Sequence, residues 1–205
     1  TPAATQTEAT AGSALADLAY YAIRQGTAGN APALTLDGIR LSTGWGTATG
    51  NPLYSDNTVI AVGNYNNMSV LSGATPALTG NPTINGTLTL SGGVVTTGAN
   101  KVIIGSGGSV NRTAGYISGN MQRTAANGNN SFPIGTTVYT PVTINMTGVT
   151  GAVDLTAKST NGNPASGSGI DQTKKVNHYW TVTKSNSGTF TNYSSTFDFT
   201  NTTNT

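Results

Sequence analysis

In the stretch NGTLTLSGGVVTTGANKVIIGSGG, residues 85–108, no strand-forming run continues for more than a few residues before glycine or asparagine interrupts it. Such runs are too short for helices, which need roughly 10–12 residues of sustained period. Their Thr, Val and Ile side chains are β-branched and fit a pleated surface. The glycines supply corners. Brief strands joined by tight corners are the pattern of parallel β-helix coils. Asn57–Val62 and Met68–Leu71, the latter closed by Ser72-Gly73, continue it toward the N-terminus. A second sandwich uses the same short strands and glycine turns, and periodicity does not separate the two. β-helix-like coils over residues 55–125 are the expectation carried forward.

Composition narrows the chemistry. Only 8% of residues are charged, about a third of the usual share. With 37 Thr, 27 Gly, 22 Asn and 17 Ser, four residue types make up half of the 205-residue chain. Neutral hydroxyl and amide groups stand in for charge on the surface. There is no Cys, so a disulfide scaffold, a thiolate metal site, a cysteine nucleophile and a redox motif are all excluded. There is a single His. A net charge of +2, with Lys174, Lys175 and Lys184 as the densest basic group, is too thin to neutralise a run of phosphates, so no nucleic-acid partner is expected. No apolar run reaches the roughly 18 residues of a membrane helix, and Leu15–Ile23 is broken by Asp17, so no membrane span is expected. Residues 1–13 lack the basic start and apolar centre of a signal peptide, as a mature exported chain would.

Three regions follow from the pattern. Residues 1–54 read as an N-terminal arm with a polar lead (1–12), a short helix over 13–25 capped by Ser13 and stopped by Gly26, and a hairpin in which Asp37-Gly38 joins Leu34–Leu36 to Ile39–Leu41. Residues 55–125 are the coil region. In residues 126–205 the strands lengthen and alternate. Val138, Thr140, Val142, Ile144 and Met146 share one side, although Pro141 argues for an edge strand. Val153, Leu155 and Ala157 form a second inward set, Val176, His178, Trp180 and Val182 a third, and Tyr193, Ser195, Phe197 and Phe199 a fourth. The fold class is therefore all-β: short parallel β-helix-like coils followed by an antiparallel β-sandwich, with one short N-terminal helix.

The order NGTLTLSGGVVTTGANKVIIGSGG, YISGNMQRTA, SFPIGTTVYTPVTINM and VNHYWTVT, over about residues 85–199, resembles a recurring pattern in very large secreted and cell-surface proteins of the Bacteroidetes that are associated with type IX secretion. The resemblance implies β-helix coils in the first part and a β-sandwich ending in a Tyr-Trp strand in the rest. It also implies an extracellular structural or adhesive role, and it carries no catalytic residues to this chain. The first 50 residues do not match and no sorting domain follows Thr205, so a fragment of a longer polypeptide or a processed subunit is expected.

Candidate sites are few. Sugar cleavage needs two carboxylates about 5–10 Å apart. Of Glu8, Asp17, Asp37, Asp56, Asp154, Asp171 and Asp198, only Asp154 and Asp198 lie on strands that could bring them together. His178, in line with Val176 and Trp180, reads as a packed, hydrogen-bonded group. The GSGGSV segment lacks the Asp of a calcium coil and the following helix of a phosphate loop. Asn-x-Ser/Thr occurs at Asn67, Asn85, Asn111, Asn129, Asn145, Asn192 and Asn201, no more often than chance gives in so Thr-rich a chain. Trp45, Tyr54 and Tyr65 fall in Gly/Asn-rich segments, where they either plug the core or offer faces for stacking on sugars. The expectation is thus no enzyme and no catalytic, cofactor or metal site. It is an extracellular structural or adhesive surface protein that self-associates, in its sharper form a filament subunit assembling by β-strand pairing or donation. A glycan-binding adhesin module is the alternative, and a β-helical polysaccharide-degrading enzyme ranks behind both.

Overall fold

A computed structural model describes residues 51–164, 171 and 175–199. The helix expected over 13–25, the hairpin at 34–41, Trp45, the lead 1–12 and the tail 200–205 lie outside the described residues. Within them every regular element is a strand: β1 Leu53–Tyr54, β2 Asn64–Tyr65, β3 Met68–Leu71, β4 Thr83–Ile84, β5 Thr87–Ile104, β6 Ser109–Thr124, β7 Gly128–Phe132, β8 Ile134–Gly135, β9 Val142–Thr147, β10 Asp154–Asn161, β11 His178–Ser185 and β12 Asn192–Phe197. The described residues all fall in one compact unit.

Strands β1–β6 and β8 form a β-solenoid-like coil with three faces. On the first face, parallel pairing stacks Tyr54 on Val70, Val70 on Leu90 and Leu90 on Arg112. On the second, Val95 stacks on Ile117 and Ile117 on Ile134. On the third, Tyr65 stacks on Ile84, Ile84 on Ile104 and Ile104 on Arg123. The apolar members of these columns are buried. Where separate short strands are expected over 84–104, the chain instead runs from Thr87 to Ile104 as one long strand, β5, and then from Ser109 to Thr124 as another, β6; both bend round the corners through register shifts. The glycines sit at those bends. Gly115 has φ +78°, and a Cβ there would collide with the carbonyl oxygen of Gly93 in the preceding coil, so only glycine fits.

The coil repeat has no fixed length, which is why it resists alignment in sequence. One corner ladder makes this visible. The amide oxygen of Asn51 accepts from the backbone N–H and side-chain amide of Asn67 (3.1 and 2.9 Å), that of Asn67 accepts from Thr87 N–H (2.8 Å), and the hydroxyls of Thr87 and Ser109 meet at 3.0 Å. The steps are 16, 20 and 22 residues. A second ladder joins Asn120 Nδ2 to the Asn100 carbonyl and Asn100 Nδ2 to the Leu78 carbonyl. Asn and Thr are abundant partly because the corners use them to satisfy backbone groups that strand pairing leaves over.

At its last turn the coil passes into antiparallel structure. β6 pairs with β5 along its length, and its end, Met121–Thr124, pairs antiparallel with β10. β10 in turn pairs with β11 from Asp154↔Ser185 to Asn161↔His178. A separate three-stranded sheet has the order β12-β9-β7. The two sheets face each other as a sandwich. Val142, Ile144 and Met146 from one, and Leu155 and Ala157 from the other, are buried between them. Pro141 does not mark an edge strand. β9 starts after it and is the central strand of its sheet, because a proline just ahead of a strand removes no ladder donor.

Candidate functional site

β11 and β12 end their sheets on the same side of the sandwich. Their inward-facing residues are Trp180, Val182 and Lys184 on β11 and Tyr193, Ser195 and Phe197 on β12, as the pairing with buried Ala157 and Ile144 requires. Yet these rows are poorly covered: Val182 is 37% exposed, Phe197 41% and Tyr193 60%. Between them lies an open cleft of about 330 Å³ with Ile144, Met146 and Leu155 at its base. Aromatic contacts set its walls. The Trp180 and Phe197 ring centroids are 5.3 Å apart, and Phe190 meets Tyr193 edge-on at 5.8 Å. Trp180 is fixed by a 2.9 Å hydrogen bond from Nε1 to the Thr140 carbonyl. Lys184 is the single charged residue of the lining, and its ammonium donates to the Asn186 carbonyl at 2.8 Å. The cleft is a sandwich core left open along one edge.

Beneath Trp180 sits a buried polar knot. Thr140 Oγ1 lies 2.5 Å from Ser159 Oγ and 3.1 Å from His178 Nε2, and Ser159 Oγ also contacts His178 Nε2. A serine against a histidine is the geometry of a nucleophile and its base. Here all three are buried, Ser159 and Thr140 almost completely, so no substrate carbonyl can reach the hydroxyl. The knot satisfies polar groups where β10, β11 and the segment before β9 converge. Burial pushes the His178 pKa below its ordinary value.

The two strand carboxylates are not brought together. Asp154 is level with Ser185, and its Oδ1 accepts from Thr124 Oγ1 at 2.7 Å. Asp198 follows Phe197, which packs on Trp180 opposite Ser159. Five residues of strand, ~17 Å, separate those levels. Asp56 caps a local turn, accepting from Thr58 N–H at 2.8 Å; the Thr58 hydroxyl first, and its N–H second, lower the Asp56 pKa. The GSGGSV segment is a coil corner: Cβ atoms at Gly105 or Gly108 would strike Asn85 or Ile84.

Tyr54 and Tyr65 are buried in the coil core, each 8% exposed, so neither offers a face to a sugar. Tyr65 donates its hydroxyl to the Ala61 carbonyl at 2.9 Å. Burial first, and Tyr65 second, push the Tyr54 phenol pKa well up. Short apolar coils need large side chains to close them, and these tyrosines serve that need. The large aromatic residues that do reach solvent, Tyr193, Phe197 and Phe199, were legible as the inward set of a strand. That the opposing sheet fails to cover them was not, because cover depends on strands that sequence alternation cannot count.

Among the described residues no three His, Asp or Glu side chains gather as a metal ion requires, and no helix is long and apolar enough to cross a membrane. Sequons at Asn129 and Asn145 spend their amides on each other, Asn145 Nδ2 donating to Asn129 Oδ1 at 2.6 Å. No protein-family model, curated protein or solved structure matches the chain.

Proposed function

We propose that this chain is an extracellular structural or adhesive surface module, acting as a filament subunit that joins its neighbours through β-strand pairing. The observation that carries this reading is the open sandwich edge: two strands that are terminal among the described residues flank one apolar cleft, and there each presents a backbone edge. An exposed sheet edge over an apolar floor is a template for an added strand. The resemblance to large Bacteroidetes surface proteins supports a location outside the cell. So does a surface built on neutral Thr, Ser and Asn. In such a module the hydroxyl and amide side chains do backbone work in ladders, and shape rather than reactive groups makes the contacts. Glycan binding loses two of its three nominated aromatics to the core, and Trp45 lies outside the described residues. Negative-stain electron microscopy of the purified chain over a concentration series tests the reading. Filaments or short linear oligomers are expected, and monodisperse single particles at the highest concentration would overturn it.

A further inference from the structure

We propose that the cleft between β11 and β12 receives the segment Leu34–Leu41 of a second copy of this chain. This assignment rests on the filament reading above and names its two surfaces.

The cleft asks for an inserted strand rather than a flat partner. Its exposed rim residues, Val182, Tyr193 and Phe197, leave on the order of 300 Å² of apolar surface uncovered, judged from aromatic side chains that bury 150–250 Å² each. A stable interface needs about 800 Å² per partner. Two copies apposed rim to rim fall short of that. A hairpin entering the cleft lays its apolar face on the floor, while one of its arms adds main-chain hydrogen bonds to a rim strand.

The sequence outside the described residues offers few such strands. The floor and walls require apolar side chains two residues apart with tolerant residues between them. Leu34-Thr35-Leu36 and Ile39-Arg40-Leu41 supply two such pairs, joined by Asp37-Gly38. The tail TNTTNT has no apolar residue, residues 13–25 carry a helical period, and residues 42–50 offer only Trp45 as a large apolar group. Charge agrees. Lys184 is the single charged residue of the lining, and a hairpin that enters with its Asp37-Gly38 turn toward Lys184 sets Asp37 against the ammonium and leaves Arg40 on the face opposite Leu34, Leu36, Ile39 and Leu41.

Because the chain has no cysteine, disulfide trapping reads this contact cleanly. In the full-length chain carrying Leu36→Cys and Val182→Cys, mild oxidation is expected to give a ladder of covalent multimers on a non-reducing gel. Excess synthetic peptide of sequence LTLDGIRL is expected to lower the multimer fraction at least fivefold. A control with Leu36→Cys and Thr181→Cys, whose second cysteine faces away from the cleft, is expected to give at least fivefold fewer multimers. Monomer only, or a disulfide closed within one chain, overturns the assignment, as does a ladder indifferent to peptide. The unmodified chain keeps the two readings apart: filaments in the microscope without a trapped ladder remove this contact and leave the filament reading standing, whereas single particles remove both.

Discussion

The guanidinium of Arg112 lies 3.4 Å above the ring centroid of Tyr139. Arg112 occupies the column that runs Tyr54, Val70, Leu90 through the first face of the coil, and so takes the place of the next apolar residue. Its stem continues the core, while its charge turns to the aromatic ring and, through Nε, to the Gly115 carbonyl at 2.6 Å. A partly desolvated cation–π contact contributes roughly 0.5–2 kcal/mol. A double-mutant cycle with Arg112→Met and Tyr139→Leu, read by urea unfolding, is expected to give a coupling energy of about 1 kcal/mol. Strict additivity would show that the stack contributes nothing.

Arg123 closes the third column in the same way, beyond Ile104. It is less well served. Nη1 donates to the Ser131 carbonyl at 3.0 Å, but Nε is buried without a hydrogen-bond partner, and burial lowers the group's pKa. A buried charge with incomplete bonding is often replaceable by an apolar side chain of similar shape at no cost. Arg123→Met is therefore expected to change stability by less than about 1 kcal/mol or to raise it, whereas Arg123→Ala, which also empties the column, should lose about 2 kcal/mol. A loss of that size in Arg123→Met, measured by the urea midpoint at unchanged slope, would mean that the Ser131 bond matters more than the desolvation.

These two arginines show where sequence reading stops. The runs Ile84–Leu90, Val94–Val95 and Lys101–Ile104 announced coils through their β-branched residues and glycine corners. The inward sets at Val153, Leu155, Ala157 and at Val142, Ile144, Met146 announced the sandwich. Arg112 and Arg123 sit in the same inward registers as leucine and isoleucine, but an arginine in a polar stretch reads as solvent-facing. Only the parallel register reveals that they end apolar columns. The ladder Asn51, Asn67, Thr87, Ser109 was hidden for a different reason: its steps vary, so no fixed period exposes it. The open cleft was hidden because alternation at Tyr193 and Phe197 tells which way side chains point, not whether anything covers them.

Glycine positions separate conformational need from steric need. Gly98 has φ +59° with open space where a Cβ would go, while Gly115 has φ +78° with the Gly93 carbonyl in the way. Gly98→Ala is expected to cost only the left-handed backbone penalty, about 1 kcal/mol. Gly115→Ala adds a clash that two stacked coils must relieve together, and should cost more than about 3 kcal/mol. Thermal unfolding of the two variants checks the order. Equal losses would mean that the corner at Gly115 can open.

His178 makes the chain's acid response specific. It is the single histidine, and burial depresses its folded-state pKa. The unfolded chain therefore takes up the proton first as pH falls. The neutral histidine's contribution to stability is complete above the unfolded pKa of about 6.5 and is lost as pH drops from there toward the folded value. Protonation also disturbs the contacts of Nε2 with Ser159 and Thr140 inside the knot beneath Trp180. With so few other charges, melting temperature should be nearly flat from pH 8 to 7 and begin to fall below pH 6.5. Asp56, whose pKa is lowered by its bonds to Thr58, acts only at more acidic pH. In His178→Gln the step below pH 6.5 should disappear, whatever the variant's stability at pH 8. If the variant keeps the same slope between pH 7 and 5, the acid sensitivity lies in the carboxylates and the knot does not set it.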